Sequence, residues 1–383
     1  VDFELDEDQL HLQSAAAEVL AAECPSSYLR SVVDHGHDPK DLWDRLCGLD
    51  WPGLALPVEV GGSGATAVEL SIVLEQLGHV ADPTPFLATV SQFAAVVTTA
   101  GDEAQRRHFL SGVVEGRTGA FALTHGDGSC DFLRPPVTAR REPDGWHLQG
   151  TAGFVLDGDR ADEVAVLAGT SDGPAVFVVP GTDVRARRQR CLDSSLHLAE
   201  ITVDGVAVGD DRRLCGDPTV GAVERAVDEA TWAMGISMVG ACQRVLDLVL
   251  TYIATREQFG VPIGSFQAVK HKAVDMYVAI ERARALAQYA ALASAEGDSR
   301  RSLAASMAKA AAGDAQQLVF TDGIQLFGGI GFTWENDLQL YLRRAKAWEL
   351  LLGGARHHRR RVGRILLDGT ASPTEVLSGA AVL

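Results

Sequence analysis

At 383 residues the chain is longer than one hydrophobic core serves, so two or three packed units are expected. Hydrophobic residues make up 46% and charged residues 22%, the balance of a soluble globular protein. The net charge of −17 argues against a nucleic-acid surface or an anionic membrane as the main partner, though a local basic pocket stays compatible with it. Cys24, Cys47, Cys130, Cys191, Cys215 and Cys242 form no C-x-x-C pair. That pattern points to free thiols in a reducing cytoplasm, with neither a disulfide framework nor a metal site. The acidic opening Val1-Asp2-Phe3-Glu4-Leu5-Asp6 lacks a signal-peptide pattern, and no apolar run reaches membrane-span length free of charges or glycines.

The first third reads as helices. Asp8 to Ala22 has apolar residues at helical spacing with acids near its start, where they suit the helix dipole. Asp41 to Leu46 suggests a short helix, Leu56 to Gly64 a proline-then-glycine loop, and Ala67 to Val80 a buried helix. The middle third is different. Trp146–Gly150, Glu163–Leu167, Ala175–Val179 and Glu200–Val203 are short, rich in β-branched residues and bounded by Gly, Asp or Pro, as strands are. A small barrel or sandwich is expected there. From about Val220 the helical period returns, and Trp232–Thr255, Phe266–Ala295, Leu303–Phe327 and Glu335–Leu366 read as four long helices in series, an antiparallel bundle. The expected organisation is α+β: an N-terminal helical domain over 1–114, a central β domain over 115–217, a four-helix bundle over 218–368 and a fraying tail over 369–383.

Two segments carry chemistry. One is Arg256-Glu257-Gln258-Phe259-Gly260-Val261-Pro262-Ile263-Gly264-Ser265-Phe266-Gln267; the other is Gln325-Leu326-Phe327-Gly328-Gly329-Ile330-Gly331-Phe332-Thr333-Trp334-Glu335. Arginine offers a planar fork of donors to phosphate oxygens, and glycine lets backbone approach phosphate closely. Singly, each residue has an ordinary reading: Arg256 complements a helix dipole, Gly328-Gly329 stops a helix, and Phe259 and Phe266 fill core. Together they resemble the FAD-binding elements of the acyl-CoA dehydrogenases, and the resemblance extends over nearly the whole chain. It implies the same three-part architecture. It also implies an FAD lying across a subunit interface, with its ADP end held by Arg256, Gln258, Phe259 and Gln267 and by Gln325, Gly328 and Gly329.

The half-site for the flavin ring is worn. Where the family usually reads Thr-Glu-Pro-x-x-Gly-Ser-Asp, this chain has Leu123-Thr124-His125-Gly126-Asp127-Gly128-Ser129-Cys130-Asp131. Thr124 is expected at the ring and Ser129 near the substrate. Where the family offers Trp-Ile-Thr, this chain has Phe154-Val155-Leu156. The aromatic persists, while the hydroxyl becomes an isobutyl group that cannot hydrogen-bond.

The reaction that the resemblance implies removes a proton α to a thioester as a hydride leaves the β-carbon for flavin, which needs a carboxylate base in a dry site. The usual glutamate slot, counted without gaps from Gly328-Gly329, is Leu352. The alternative slot on the earlier bundle helix is Ala230, preceded by Asp228 and Glu229. One residue turns a helical side chain by about 100°, so Glu229 is a displaced candidate. Glu349 is a second candidate, also readable as a salt-bridge residue near Arg343, Arg344 and Lys346. The expected activity is FAD-dependent α,β-dehydrogenation of an acyl-CoA, bulky or steroid-derived, by a heteromer in which a second, related subunit carries the base. The expected electron acceptor is an electron-transferring flavoprotein. The alternatives are a self-sufficient homomer using Glu229 and a flavin-free structural or regulatory subunit.

Overall fold

The computed structural model describes residues 5–217 and 220–367; Val1–Glu4, Pro218, Thr219 and the expected tail lie outside the described residues. Helices α1 (Glu7–Glu23), α2 (Ser26–His35), α3 (Lys40–Cys47) and α4 (Ala67–His79) come first. The helical stretch α5 (Phe86–Ala88), a π-helical turn at Thr89–Phe93 and α6 (Ala94–Ala100) leads to α7 (Glu103–Val114). Strands β1 (Gly119–Ala122), β2 (Val137–Glu142), β3 (Gly145–Leu156), β4 (Glu163–Thr170), β5 (Gly173–Pro180), β6 (Arg185–Gln189) and β7 (Leu198–Val208) follow. Helix α8 (Val220–Thr255) is joined to α9 (Gln267–Ala295) by a hairpin of β8 (Glu257–Gln258) and β9 (Val261–Pro262). Then come α10 (Arg301–Phe327), α11 (Leu338–Leu350) and α12 (Ala355–Leu367). This is the expected order: N-terminal helices, a central sheet and C-terminal helices.

Local chemistry sets several boundaries. Asp6 starts α1 by accepting from the Gln9 N–H at 2.8 Å, and Gln9 returns the bond to the Asp6 N–H. Asp102 and Gln105 start α7 in the same reciprocal way.

The chain separates into two compact units. One holds residues 30–66 and 83–230. In its mixed sheet, β4 carries β1 and then β2 in parallel and also pairs antiparallel with β5, and the path continues β2-β3-β7-β6. The sheet's two faces build two cores. Phe121, Leu123, Leu167, Val176 and Val178 pack with Phe93, Val97, Phe109 and Leu110 of the helices. Ala122, Val164, Val166 and Phe177 pack with Trp146, Leu148, Ile201 and Val203 from the far arm of the same sheet. The sheet therefore folds over on itself like a sandwich, but β6 does not pair with β1 or β5, so the barrel alternative is corrected to an open mixed sheet. The long helix α7 and its neighbours fill one face, which removes the need to close the sheet against solvent.

The other unit holds α1, α4, most of α8 and α9 to α12. Helices α4 and α8 cross on glycines: a Cβ on Gly78 would lie 2.1 Å from the Ser237 carbonyl oxygen, and one on Gly240 would lie 2.0 Å from that of Glu75. Alanines 304, 305, 308, 311, 312 and 315 of α10 are buried. The half-buried Arg284 bridges α9 to Glu75 of α4 at 2.7 Å and to Gln243 of α8 at 2.9 Å. Helix α8 is the one described helix long and apolar enough to span a membrane, and its apolar window is largely buried in the fold. The fourth expected bundle helix, Glu335–Leu366, is not continuous. It breaks at residues 351–354 into α11 and α12, because Leu352 and Gly353 take positive φ (57° and 93°). A helical period persists on both sides of the break, which hides it in the sequence.

Candidate functional site

The residues expected to hold the ADP end lie at or after the C-terminal ends of α8 and α10. The rings of Tyr252 and Phe327 stack at 4.4 Å, which brings the residues after each helix together. Beyond Tyr252 the chain turns through a two-residue hairpin with Phe259 at φ 56° and Gly260 at φ 78°. Two positive φ values match the right-handed strand twist, the type I′ solution, which is unusual for a phenylalanine. The turn is held by the Ile263 N–H donating to the Arg256 carbonyl at 2.8 Å. It leaves Phe259 93% exposed, touching Phe266 edge-on at 6.2 Å. The core reading of these two aromatics is thus corrected: the hairpin points them outward. The side chain of Arg256 is exposed and bonds to no described residue, and Gln258, Gln267 and Gln325 are exposed as well. Gly328 leaves α10 at φ 65°, and added Cβ atoms at Gly328 and Gly329 would meet nothing within 4 Å. A free guanidinium, three exposed amides and a bare glycine backbone fit a nucleotide diphosphate.

The expected ring half-site fits less well. The Thr124 hydroxyl donates to the Gly153 carbonyl, and the Gly153 N–H donates back to the Thr124 carbonyl at 2.9 Å. A register shift between Ala152 and Val155 kinks β3 and puts Phe154 at φ 52°, 38% exposed. Its N–H donates to Gln189 Oε1 at 3.1 Å. Leu156 is buried. Ser129 is tied into a local turn, its N–H and hydroxyl donating to Asp127 Oδ1 at 2.9 and 2.6 Å. Those bonds to Ser129 hold the Asp127 carboxyl below its ordinary range. The polar groups nominated for ring and substrate are engaged within the chain itself.

The expected base slot, Leu352, lies in a turn at positive φ whose carbonyls are bonded by buried side chains. Lys309 of α10 is buried, and its Nζ donates to the carbonyls of Glu349, Leu351 and Gly353 at 3.0, 2.8 and 3.0 Å. His358 faces the Leu352 carbonyl with Nε2 at 3.0 Å, so that nitrogen carries the proton. Burial pushes the His358 imidazole down to about 3, so it is neutral. Burial also pushes the Lys309 ammonium down to about 7, against the pull of the Glu349 carboxylate. Glu349 accepts from the Ala355 N–H at 3.1 Å and from Lys346 Nζ at 3.0 Å. Burial raises its carboxyl and these bonds outweigh that, leaving it below its usual value. It is an α12 cap and ion-pair residue. Position 352 itself offers only an isobutyl group. Glu229 is half-buried on α8, with an interaction of its own, and Ala230 is buried beside it.

Lys309 and Gln189 were not singled out from the sequence. A lone lysine in the run Ala308-Lys309-Ala310-Ala311-Ala312 was the one available signal, since small buried neighbours leave no room for it to reach solvent.

Two family descriptions match the chain: the acyl-CoA dehydrogenase N-terminal domain over residues 6–117 and its C-terminal domain over residues 220–367. The acyl-CoA dehydrogenase IpdE2 of Mycobacterium tuberculosis is 31% identical over 360 residues, spanning 93% of this chain and 96% of its own. A solved ChsE4–ChsE5 complex, also from Mycobacterium tuberculosis, superposes with a TM-score of 0.88 at 27% identity, over 97% of this chain and 100% of the matched one. A variant of the Tcur3481–Tcur3483 steroid ACAD gives 0.85 at 30% identity, over 96% and 99%. The chain belongs to the acyl-CoA dehydrogenase family, whose members are FAD-dependent oxidoreductases acting on the CH–CH bond of acyl-CoA thioesters.

Proposed function

We propose that this chain is the non-base subunit of a heteromeric acyl-CoA dehydrogenase acting on a bulky, steroid-derived thioester. The observation that carries this reading is Leu352: in a turn whose carbonyls are held by Lys309 and His358, the expected glutamate position carries an isobutyl group that cannot accept a proton. The exposed Arg256 and the open Gly328-Gly329 backbone would grip the ADP end of an FAD. A second, related subunit would supply the ring pocket and the glutamate. Support for the substrate class and for the pairing comes from the Tcur3481–Tcur3483 steroid ACAD and the ChsE4–ChsE5 complex. Electrons would pass to an electron-transferring flavoprotein. Six free thiols are consistent with a reducing cytoplasm.

The test is flavin content and turnover, measured on the chain alone and on the chain co-expressed with the product of a neighbouring gene. The proposal expects substoichiometric flavin and no acyl-CoA-dependent dye reduction alone, with both restored in the complex. Full turnover by the isolated chain would instead make it a self-contained enzyme.

A further inference from the structure

We propose that Gln189 plugs the flavin-ring wall of this chain, so that this subunit's β-sheet takes up no flavin ring. The inference rests on the heteromer reading and names the residue that closes this chain's own ring wall.

Hydrogen-bond supply decides whether this wall can hold a ring. A planar heteroaromatic ring with carbonyls at its edge needs a few placed donors, and a polar edge facing none stays desolvated at a cost. On this wall the hydroxyl expected at position 156 is replaced by a buried isobutyl group. The Thr124 hydroxyl donates to the Gly153 carbonyl. The Phe154 N–H, turned out by the register shift at Ala152/Val155 and the positive φ of Phe154, is the main-chain donor beside the exposed aromatic. It already has an acceptor, the Gln189 side-chain carbonyl at 3.1 Å. A primary amide offers the same kind of acceptor that a ring carbonyl would. Gln189 closes β6 and is half-buried, while Phe154 stays exposed, so the amide sits where a ring edge would compete for the same N–H. The two carriers of the wall, residues 124 and 153, are also tied to each other in both directions, which keeps the wall closed.

The experiment is riboflavin titration of the isolated chain, followed by flavin fluorescence and the visible spectrum, for wild type, Gln189→Ala and Gln189→Glu. Wild type is expected to quench riboflavin weakly. Gln189→Ala frees the donor and is expected to bind riboflavin about tenfold more tightly, the weight of one recovered hydrogen bond. Gln189→Glu keeps an acceptor and is expected to match wild type. Circular dichroism and the thermal midpoint confirm that the variants fold. Tight riboflavin binding by wild type overturns the plug. So does unchanged binding by a folded Gln189→Ala variant. Flavin stoichiometry of the complex judges the heteromer reading separately: one FAD per pair sustains it even if Gln189→Ala behaves as wild type, and two per pair overturns it.

Discussion

Lys309 Nζ lies 2.8 Å from the carbonyl oxygen of Leu351, one residue before Leu352, the expected base slot. With Glu349 and Gly353 it makes three acceptors for the three protons of one ammonium. The left-handed backbone at Leu352 survives because its neighbours are held on every side, as strained residues require.

This lysine makes stability depend on pH. Its folded value is about 7, below the ordinary 10.5. The unfolded chain therefore binds this proton across a window in which the folded chain does not. Stability rises as pH climbs from about 7 toward 10.5, and is lost as pH falls back through 7. Lys309→Met lacks the proton, so the wild-type advantage over it widens with pH in that window. Urea midpoints of both proteins, taken at several pH values across it, check this. A constant difference would show that Lys309 does not deprotonate there.

Arg256→Lys is expected to lower FAD retention about tenfold, because an ammonium cannot reproduce the two parallel bonds of a guanidinium to a pyrophosphate. Helix content is expected to be unchanged, since the side chain bonds to no described residue. Flavin released on gel filtration of the complex measures it. Undiminished retention would assign Arg256 to its helix end instead.

With a competent partner present, Glu229→Gln is expected to leave dye reduction by a saturated acyl-CoA within about twofold of wild type, whereas removing the partner's glutamate lowers it by about 10² to 10⁴. Each chain is varied in turn. Loss of turnover on Glu229→Gln alone would make Glu229 the base, shifted by one helical position.

Gly240→Ala is expected to destabilise the chain by about 3 kcal/mol, since two backbones would have to part. The added Cβ would stand 2.0 Å from the Glu75 carbonyl oxygen and 2.8 Å from the His79 nitrogen. Gly363→Ala in α12 meets nothing within 4 Å and is expected to be neutral or to stabilise by about 0.5 kcal/mol. Thermal melts of the two variants side by side provide the contrast.

The sequence by itself determined the order of helices, sheet and helices, and it carried the residue patterns on which the proposed cofactor half-sites rest. Those features are local. Helical period in Phe266–Ala295, β-branched runs such as Ala175–Val179, and an Arg-to-Gln spacing are carried by adjacent residues. It also revealed the absence of a glutamate at Leu352. Only the tertiary structure decided how the strands pair, with β4 carrying β1 and β2 in parallel after long excursions, because register depends on contacts far apart in sequence. Only it broke the last helix at residues 351–354, where Lys309, some forty residues upstream, supplies the donors that the interrupted backbone needs. Only it brought Gln189 to Phe154 across the sheet. A side chain's chemistry is written in the sequence, but which buried polar group it satisfies depends on how distant segments pack.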